Sequence, residues 1–308
     1  MQWLNAILAN PVLVREMRGR MRGYRAPLIL SSYLLLTGLV TLLVYLSITS
    51  NASSGDPSQG RMIGKAIFLT VMTAALIQVC LITPSLTAGS IVGEKEHQSY
   101  DLLITTLLSP WQIILGKLTS ALAFIILLIG AVFPLASLAF LFGGVTGTEL
   151  GIALIGLLTT AFLCATVGLF WSTVMRGTLG ATVMAQGTVI LSLLGIPFLW
   201  AIILAIFHEA FNNFDNFQHG ISWLGLILRY SIFLLICAHP FIALGWTEIL
   251  LTEDKGPFIL RDWNGMISLP SPWLVYTFIT LLFAGMFLIL STRLIKPVEY
   301  RPKKKRGI

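Results

Sequence analysis

Long apolar runs alternate with short charged segments along the whole chain, and this pattern predicts helices that cross a membrane. Asp, Glu, Lys and Arg are absent from five long stretches, and each is long enough for the roughly 20-residue helix that spans a hydrocarbon core. These stretches lie between Lys65 and Glu94, Lys117 and Glu149, Glu149 and Arg176, Arg176 and Glu209, and Asp262 and Arg293.

The pattern predicts an all-α polytopic membrane protein with six transmembrane helices in one domain over residues 1–308. Apolar residues surround every face of each predicted span, as expected where lipid or another helix lies on all sides. The predicted spans are 26–48, 66–91, 119–143, 150–175, 178–207 and 272–292.

Composition supports this fold class. The chain is 56% hydrophobic and 11% charged, with a mean hydropathy of +0.87. A soluble domain carries about 25% charged residues. A chain so poor in charge cannot cover a water-facing surface, so lipid must be its main solvent.

The distribution of Lys and Arg predicts that both termini are cytoplasmic, because basic residues concentrate on the inner side of a membrane. The basic tail at 297–308 then lies inside, where it can bind anionic lipid. With this orientation only five of the 20 basic residues fall outside: Arg61, Lys65, Arg229, Lys255 and Arg261.

The apolar segment 222–250 is a possible seventh span, but Arg229 interrupts it and His239–Pro240 breaks it again. A seventh span would also move the basic tail to the outside. We therefore expect outer-leaflet helices here, between spans five and six, which either re-enter the membrane or lie on its surface.

An amphipathic helix is predicted over 10–25, in the plane of the membrane. Asn10 and Pro11 form a helix-start signal, since Asn caps a helix and Pro suits its first position. At 100° per residue, basic and apolar side chains separate to different faces. The helix is either a topology anchor or a contact for a cytoplasmic partner, through Arg15, Glu16, Arg18 and Arg22.

A second short helix is predicted over 94–108, in the cytoplasmic loop between spans two and three. Glu94 and Glu96 would favour its N-terminus. Ser109–Pro110 then starts the next helix near Trp111. Its single apolar face has i, i+3, i+4 spacing and consists of Tyr100, Leu103, Ile104, Leu107 and Leu108.

Three stretches of the chain resemble the permease subunits of the type-2 exporter family of ATP-binding-cassette (ABC) transporters. The resemblance covers about residues 10–120, and beyond them only the six-span pattern. The stretches are Asn10-Pro11-Val12-Leu13-Val14-Arg15-Glu16, Gly93-Glu94-Lys95-Glu96 and Leu107-Leu108-Ser109-Pro110-Trp111-Gln112-Ile113-Ile114-Leu115-Gly116-Lys117.

The resemblance implies a cell-membrane exporter subunit that pairs with an identical or related permease and binds two copies of an ABC ATPase subunit. ATP and Mg²⁺ would be bound by that ATPase, with no cofactor in this chain and no nucleic-acid partner. The helix at 94–108 would couple ATPase to permease. Its contact residues would be Glu94, Lys95, Glu96, Tyr100, Asp101, Leu103, Ile104 and Leu107.

Motifs for other functions are missing from the sequence. There is no G-x-x-x-x-G-K-[ST] phosphate loop, so ATP hydrolysis is expected in a partner. His208–Glu209 lacks the second histidine of a zinc peptidase, and we expect no metal site and no catalytic residues. No predicted span has a central charge, the usual mark of an ion pathway. A non-transport scaffold subunit is the alternative function, and an enzyme is a third.

The cysteines and prolines have structural interpretations. Cys80, Cys164 and Cys237 are far apart in apolar runs, which predicts packed, reduced thiols. Pro84, Pro134 and Pro197 lie inside predicted spans two, three and five, where proline kinks a helix.

Overall fold

The computed structural model describes residues 24–50, 57–96, 110–215, 230–231, 233–253, 256–261 and 268–295. The predicted helix at 10–25, most of the predicted helix at 94–108 and the basic tail at 297–308 therefore lie outside the described residues, except at their edges. Arg15, Glu16, Arg18 and Arg22 are among the residues left undescribed, as are Tyr100, Asp101, Leu103, Ile104 and Leu107.

The described chain is helical apart from a short two-stranded ribbon. The labelled elements follow in the order α1 Arg25–Ser50, α2 Pro57–Glu96, α3 Pro110–Leu141, α4 Gly147–Val174, α5 Thr178–Asp215, α6 Pro240–Thr252, β1 Ile259–Arg261, β2 Ser268–Pro270 and α7 Pro272–Leu294.

Six of these helices, α1 to α5 and α7, are long and apolar enough to cross a membrane. They coincide with the six predicted spans, which confirms the helical fold class and the character of a multi-pass membrane protein. The shorter apolar helix α6 lies within the segment predicted to join spans five and six.

Helices α2 and α4 form the centre of the bundle, with α1, α3, α5 and α7 around them. Gly168 permits this close approach: a Cβ there would come within 1.9 Å of the Thr87 hydroxyl and 2.8 Å of the Pro84 carbonyl. Small residues allow helix backbones to approach each other closely in this way. Close packing matters in a membrane because lipid tails are as apolar as the side chains, so burial of apolar surface does not itself drive helices together.

Helices α1 and α5 are the most peripheral parts of the bundle. Tyr33 of α1 is buried against α2 and α3, whereas Leu35 is 69% exposed. In α5, Ala181 and Ala185 are buried, whereas Leu191 is 72% exposed. The apolar exposed faces of both helices fit contact with lipid or with another membrane subunit.

The start of the predicted helix at 94–108 needs correction. Glu94, Lys95 and Glu96 form the last turn of α2, which continues five residues beyond the predicted span end at 91. Their contacts with α3, α4 and α5, described below, keep this turn helical. The next helix, predicted to begin near Trp111, is described from Pro110 onward.

Residues 233–237 are helical and lead through a turn at Ala238 and His239 into α6. Pro240, the first residue of α6, lines a cavity in the middle of the bundle. Glu248, two turns later, reaches Lys65 near the start of α2. Helix α6 therefore runs from the interior of the bundle to the end at which α2 begins.

The two strands were not predicted from the sequence. Leu260 pairs with Leu269 in an antiparallel ribbon immediately before α7. The indole of Trp273 donates a hydrogen bond to the Pro257 carbonyl at 2.7 Å and holds the ribbon against the first turn of α7. Strands of three residues are too short to give an alternating hydrophobic pattern.

Candidate functional site

The end of α2 is joined to α3 by a buried ion pair. Nζ of Lys117 lies 2.9 Å from Oε1 of Glu94 and donates a second hydrogen bond, at 2.8 Å, to the Ser90 carbonyl. Lys117 is 1% exposed. A buried ammonium is tolerated only when it is paired and hydrogen-bonded, and Glu94 with Ser90 meets this requirement.

Lys95 binds the C-terminus of α4. Its ammonium donates hydrogen bonds to the carbonyls of Ser172, Thr173 and Met175, at 3.4, 2.5 and 3.3 Å. The last carbonyls of a helix have no partner within it and carry partial negative charge. Lys95 therefore satisfies the end of α4 with a positive charge of the favourable sign.

Glu96 binds the N-terminus of α5. Its Oε1 accepts hydrogen bonds from the backbone N–H of Thr178 at 2.7 Å and from the hydroxyl of Thr178 at 3.2 Å. A carboxylate at this position complements the free N–H groups and the positive end of the helix dipole. Consecutive residues of α2 thus bind the two ends of the α4–α5 connection.

Ser172 of α4 completes this contact by accepting hydrogen bonds from the backbone N–H groups of Ile91 and Val92, at 2.9 and 3.0 Å. We call the side chains Glu94, Lys95, Glu96, Lys117 and Ser172, with Thr178, the α2 C-terminal clamp. The clamp joins four helices within one turn of α2. The two described ends that flank residues 97–109, Glu96 and Pro110, both belong to helices held by it.

The other end of α2 carries a second charged group, the Lys65 cluster, which consists of Lys65, Glu149 and Glu248. Nζ of Lys65 lies 3.0 Å from Oε1 of Glu149 in α4 and forms an ion pair with Glu248 in α6. The Glu149 and Glu248 side chains are 6% and 11% exposed. One ammonium is therefore shared by two nearly buried carboxylates.

Glu149 has a second role as part of a capping box at the start of α4. Its Oε2 accepts a hydrogen bond from the Thr146 backbone N–H, while the Thr146 hydroxyl accepts one from the Glu149 N–H. This reciprocal arrangement satisfies two free donors at a helix start. Glu149 is thus fixed by its own helix, whereas Glu248 depends on Lys65 for its contact across the bundle.

Burial raises the pKa of Glu248 above its usual value. The hydrogen bond and charge of Lys65 act in the opposite direction, and the nearby charge of Glu149 raises the pKa further. Desolvation disfavours the charged form of a carboxyl group, and a neighbouring carboxylate has the same effect. Glu248 therefore holds a proton more readily than an ordinary glutamate does, although Lys65 opposes this effect.

A cavity of about 260 Å³ lies in the middle of the bundle, between the two charged groups. Residues from α2, α4, α5, α7 and the start of α6 line it, and among them are Cys80 and Cys164. All three cysteines are buried free thiols. Within the described residues, no three His, Cys, Asp or Glu side chains come together as a metal site requires.

Part of this arrangement was predicted from the sequence. Glu94, Lys95 and Glu96 lie next to α3, α4 and α5. They were predicted as contacts for a partner ATPase, but in the structure their side chains bind helices of the same chain. Lys117 and the Lys65 cluster were not among the predicted site residues. A lone lysine in the apolar run 111–128 and the Thr146-x-x-Glu149 capping pattern were the signals available for them.

No protein-family model matches this chain, and no curated protein matches it at a significant level of similarity.

Proposed function

We propose that this chain is the membrane-spanning subunit of an ATP-driven exporter of the ABC type-2 class. In this proposal it sits in the cell membrane with both termini in the cytoplasm. It pairs with an identical or related permease and binds two ATPase subunits that carry ATP and Mg²⁺. The motif resemblance over residues 10–120 is the basis for the assignment to this class.

The observation that carries the proposal is the α2 C-terminal clamp. A loop that receives motion from an ATPase is useful only if its ends are rigidly tied to the transmembrane helices. Residues 97–109 join two such ends: Glu96 contacts the start of α5, and α3 is held through the Lys117–Glu94 pair. A displacement of this loop would therefore reach α2, α3, α4 and α5 together.

The course of α6 also fits this class. Helix α6 begins beside the central cavity and ends at the Lys65 cluster. In the proposed orientation it is the outward limb of a hairpin that re-enters the outer leaflet. The cargo is then apolar or amphipathic, because the two charged groups lie at the ends of the bundle and the cavity between them is lined mostly by apolar side chains.

The experiment that tests this function is co-purification of the full chain from its native membrane in mild detergent, followed by ATPase measurement on the complex. We expect an associated ATPase whose turnover rises when the permease is present. Leu103→Asp, on the predicted apolar face of the loop, should abolish the stimulation because it places a charge in a docking surface.

Leu102→Asp is the matched control, since it adds the same charge one position away and off that face. Stimulation should survive in this variant. Equal effects of the two substitutions, or an associated complex without nucleotide hydrolysis, would favour a scaffold subunit instead. Glu94 is a poor position for this test because its loss would leave Lys117 buried without its carboxylate.

A further inference from the structure

The central cavity is lined mostly by apolar side chains, and each hydroxyl in its lining is already engaged within the protein. Its hydroxyls are all hydrogen-bonded within the protein: Tyr276 with Thr160, Thr280 to the Tyr276 carbonyl, and Ser192 to the Val189 carbonyl. The Thr188 hydroxyl donates to the Met184 carbonyl and accepts from the indole N–H of Trp171. An engineered cavity of about 150 Å³ lined by apolar side chains stays dry and binds benzene. A cavity of about 260 Å³ therefore holds roughly ten carbon atoms.

The cavity opens toward the outside of the bundle between α5 and α7. Both helices line it, through residues such as Ser192 and Phe287, yet they do not pack closely against each other. Phe283 of α7 lines the cavity and is also 45% exposed, so it lies at the mouth. The outer surface of α5 next to this mouth is apolar, with Leu194 69% exposed.

Two hydrogen bonds to carbonyls freed by prolines hold α5 across the cavity. Pro197 has no N–H for the Leu193 carbonyl four residues earlier, and Nε2 of His239 lies 2.9 Å from that oxygen. Nδ1 of His239 accepts a hydrogen bond from the Ile242 N–H. Nε2 is therefore the protonated nitrogen and donates to Leu193.

The second hydrogen bond also goes to a carbonyl that a proline has freed, this time in α2. Pro84 leaves the Cys80 carbonyl without its helical donor, and Nε2 of Gln186 in α5 donates to it at 3.5 Å. Gln186 also accepts a hydrogen bond from Ser85, at 3.5 Å. Helix α5 is thus attached at one point to α2 and at another to the turn before α6, with the cavity between these two points.

We propose that this cavity is a binding site for one hydrocarbon chain, which enters between α5 and α7 while Gln186 and His239 hold α5 in place as its wall. An alkyl chain is the chemistry that fits, because the walls are mostly apolar and each hydroxyl among them already has a hydrogen-bond partner within the protein. The inference does not rest on ATP-driven transport, since a subunit with any role in the membrane could bind a chain here.

The test is photolabelling of the full chain in lipid nanodiscs. One probe is a phosphatidylcholine with a diazirine near the middle of one acyl chain, and the other is a free fatty acid with the same diazirine chain. Labelled residues are then mapped by mass spectrometry. We expect labelling at cavity residues Val189, Ser192 and Phe287, in addition to Leu191 on the exposed face of α5.

Cavity-filling and control variants decide whether that labelling reports the cavity. Ser192→Phe should abolish labelling at Val189 and Phe287 because the ring occupies the chain's space. Leu191→Phe, which adds a ring on the exposed face, should leave it unchanged. Gln186→Leu should increase cavity labelling several-fold, because α5 loses one of its two hydrogen bonds to the proline-freed carbonyls beside the cavity.

The proposal is overturned if labelling is confined to exposed positions such as Leu191, or if Ser192→Phe labels like the wild type while eluting as a folded species. If Ser192→Phe does not fold, the milder Val167→Leu/Val189→Leu pair tests the same volume and should reduce labelling. Labelling by phosphatidylcholine alone identifies a membrane lipid as the source of the chain. Labelling by the free acid identifies a diffusible amphiphile.

Discussion

The two ends of α2 handle buried charge in opposite ways. Lys65 and Glu94 are about 43 Å apart along the helix, at 1.5 Å per residue. At the C-terminal clamp, each charge meets one opposite charge or the complementary end of a helix dipole. In the Lys65 cluster, two carboxylates share one ammonium, which leaves a net negative charge in a nearly buried place.

This difference predicts a rigid contact at the α2 C-terminal clamp and an adjustable contact at the Lys65 cluster. A buried ion pair with all its partners in place resists change, because removal of one member leaves the other desolvated and unpaired. Two carboxylates around one cation have an alternative, since one of them can take up a proton. The clamp therefore suits the transmission of force, and the Lys65 cluster suits a contact of α6 that is adjustable.

Lys117→Met should have the largest effect on stability. The substitution leaves Glu94 without its ammonium and should cost about 3 kcal/mol, the lower end for a broken buried pair, because the Glu94 side chain is 19% exposed. Unfolding in detergent measures the cost. The double variant Glu94→Gln/Lys117→Met should recover most of it, whereas the exposed Arg176→Met should cost almost nothing. Equal losses in the single and double variants would contradict the pairing.

Lys65→Met should cost less, about 2 kcal/mol, because one carboxylate of the cluster can bind a proton to relieve the repulsion. This loss of stability should shrink as the pH is lowered. The loss in Lys117→Met should shrink less over the same range. Unfolding of both variants between pH 5 and pH 8 tests this contrast. Parallel pH profiles would remove the distinction between the two ends of α2.

Lys95→Met should cost about 1 kcal/mol, the size of a favourable charge at a helix C-terminus. The effect should be local, because the α4 carbonyls lose their donor while the Glu94–Lys117 pair remains. Hydrogen exchange at the N–H groups of residues 172–178 should rise, with no change at residues 113–121. Exchange that rises equally in both segments would show that the clamp is one unit without separable contacts.

Glu248→Gln should have the smallest effect and a distinctive pH dependence. The folded-state pKa of Glu248 is raised, so its contribution to stability is fully present below the ordinary value of 4.5. That contribution falls as the pH rises through the folded-state pKa. Glu248→Gln should remove this decline, because the glutamine side chain does not titrate. A wild-type profile that is already flat between pH 4.5 and pH 8 would contradict it.

Hydrophobic pattern alone sufficed to predict the six long helices, because every span is set by length and apolar composition. The Ser109–Pro110 cap signal predicts a helix start near Trp111, and α3 is described from Pro110 onward. The hydrophobic pattern could not extend α2 to Glu96, because that turn is stabilised by Lys117, Ser172 and Thr178, which are distant in sequence. Local charge pattern instead suggested the start of a new helix.

The Lys65 cluster shows the same limit more strongly. Its three charged residues come from helices α2, α4 and α6, and only their packing reveals that they meet. The cavity and its two proline-freed carbonyls are also products of packing. The prolines themselves were visible in the sequence, but the partners Gln186 and His239 were not.

The clamp also imposes an order on biosynthesis. Lys117 leaves the ribosome 23 residues after Glu94 and can pair with it early. The carbonyl of Ser172 follows Lys95 by 77 residues, and Thr178 follows Glu96 by 82. At about 5–20 residues per second, Lys95 and Glu96 wait several seconds for their partners. A nascent chain stalled before α5 would expose this unsatisfied turn to chaperones and quality-control proteases.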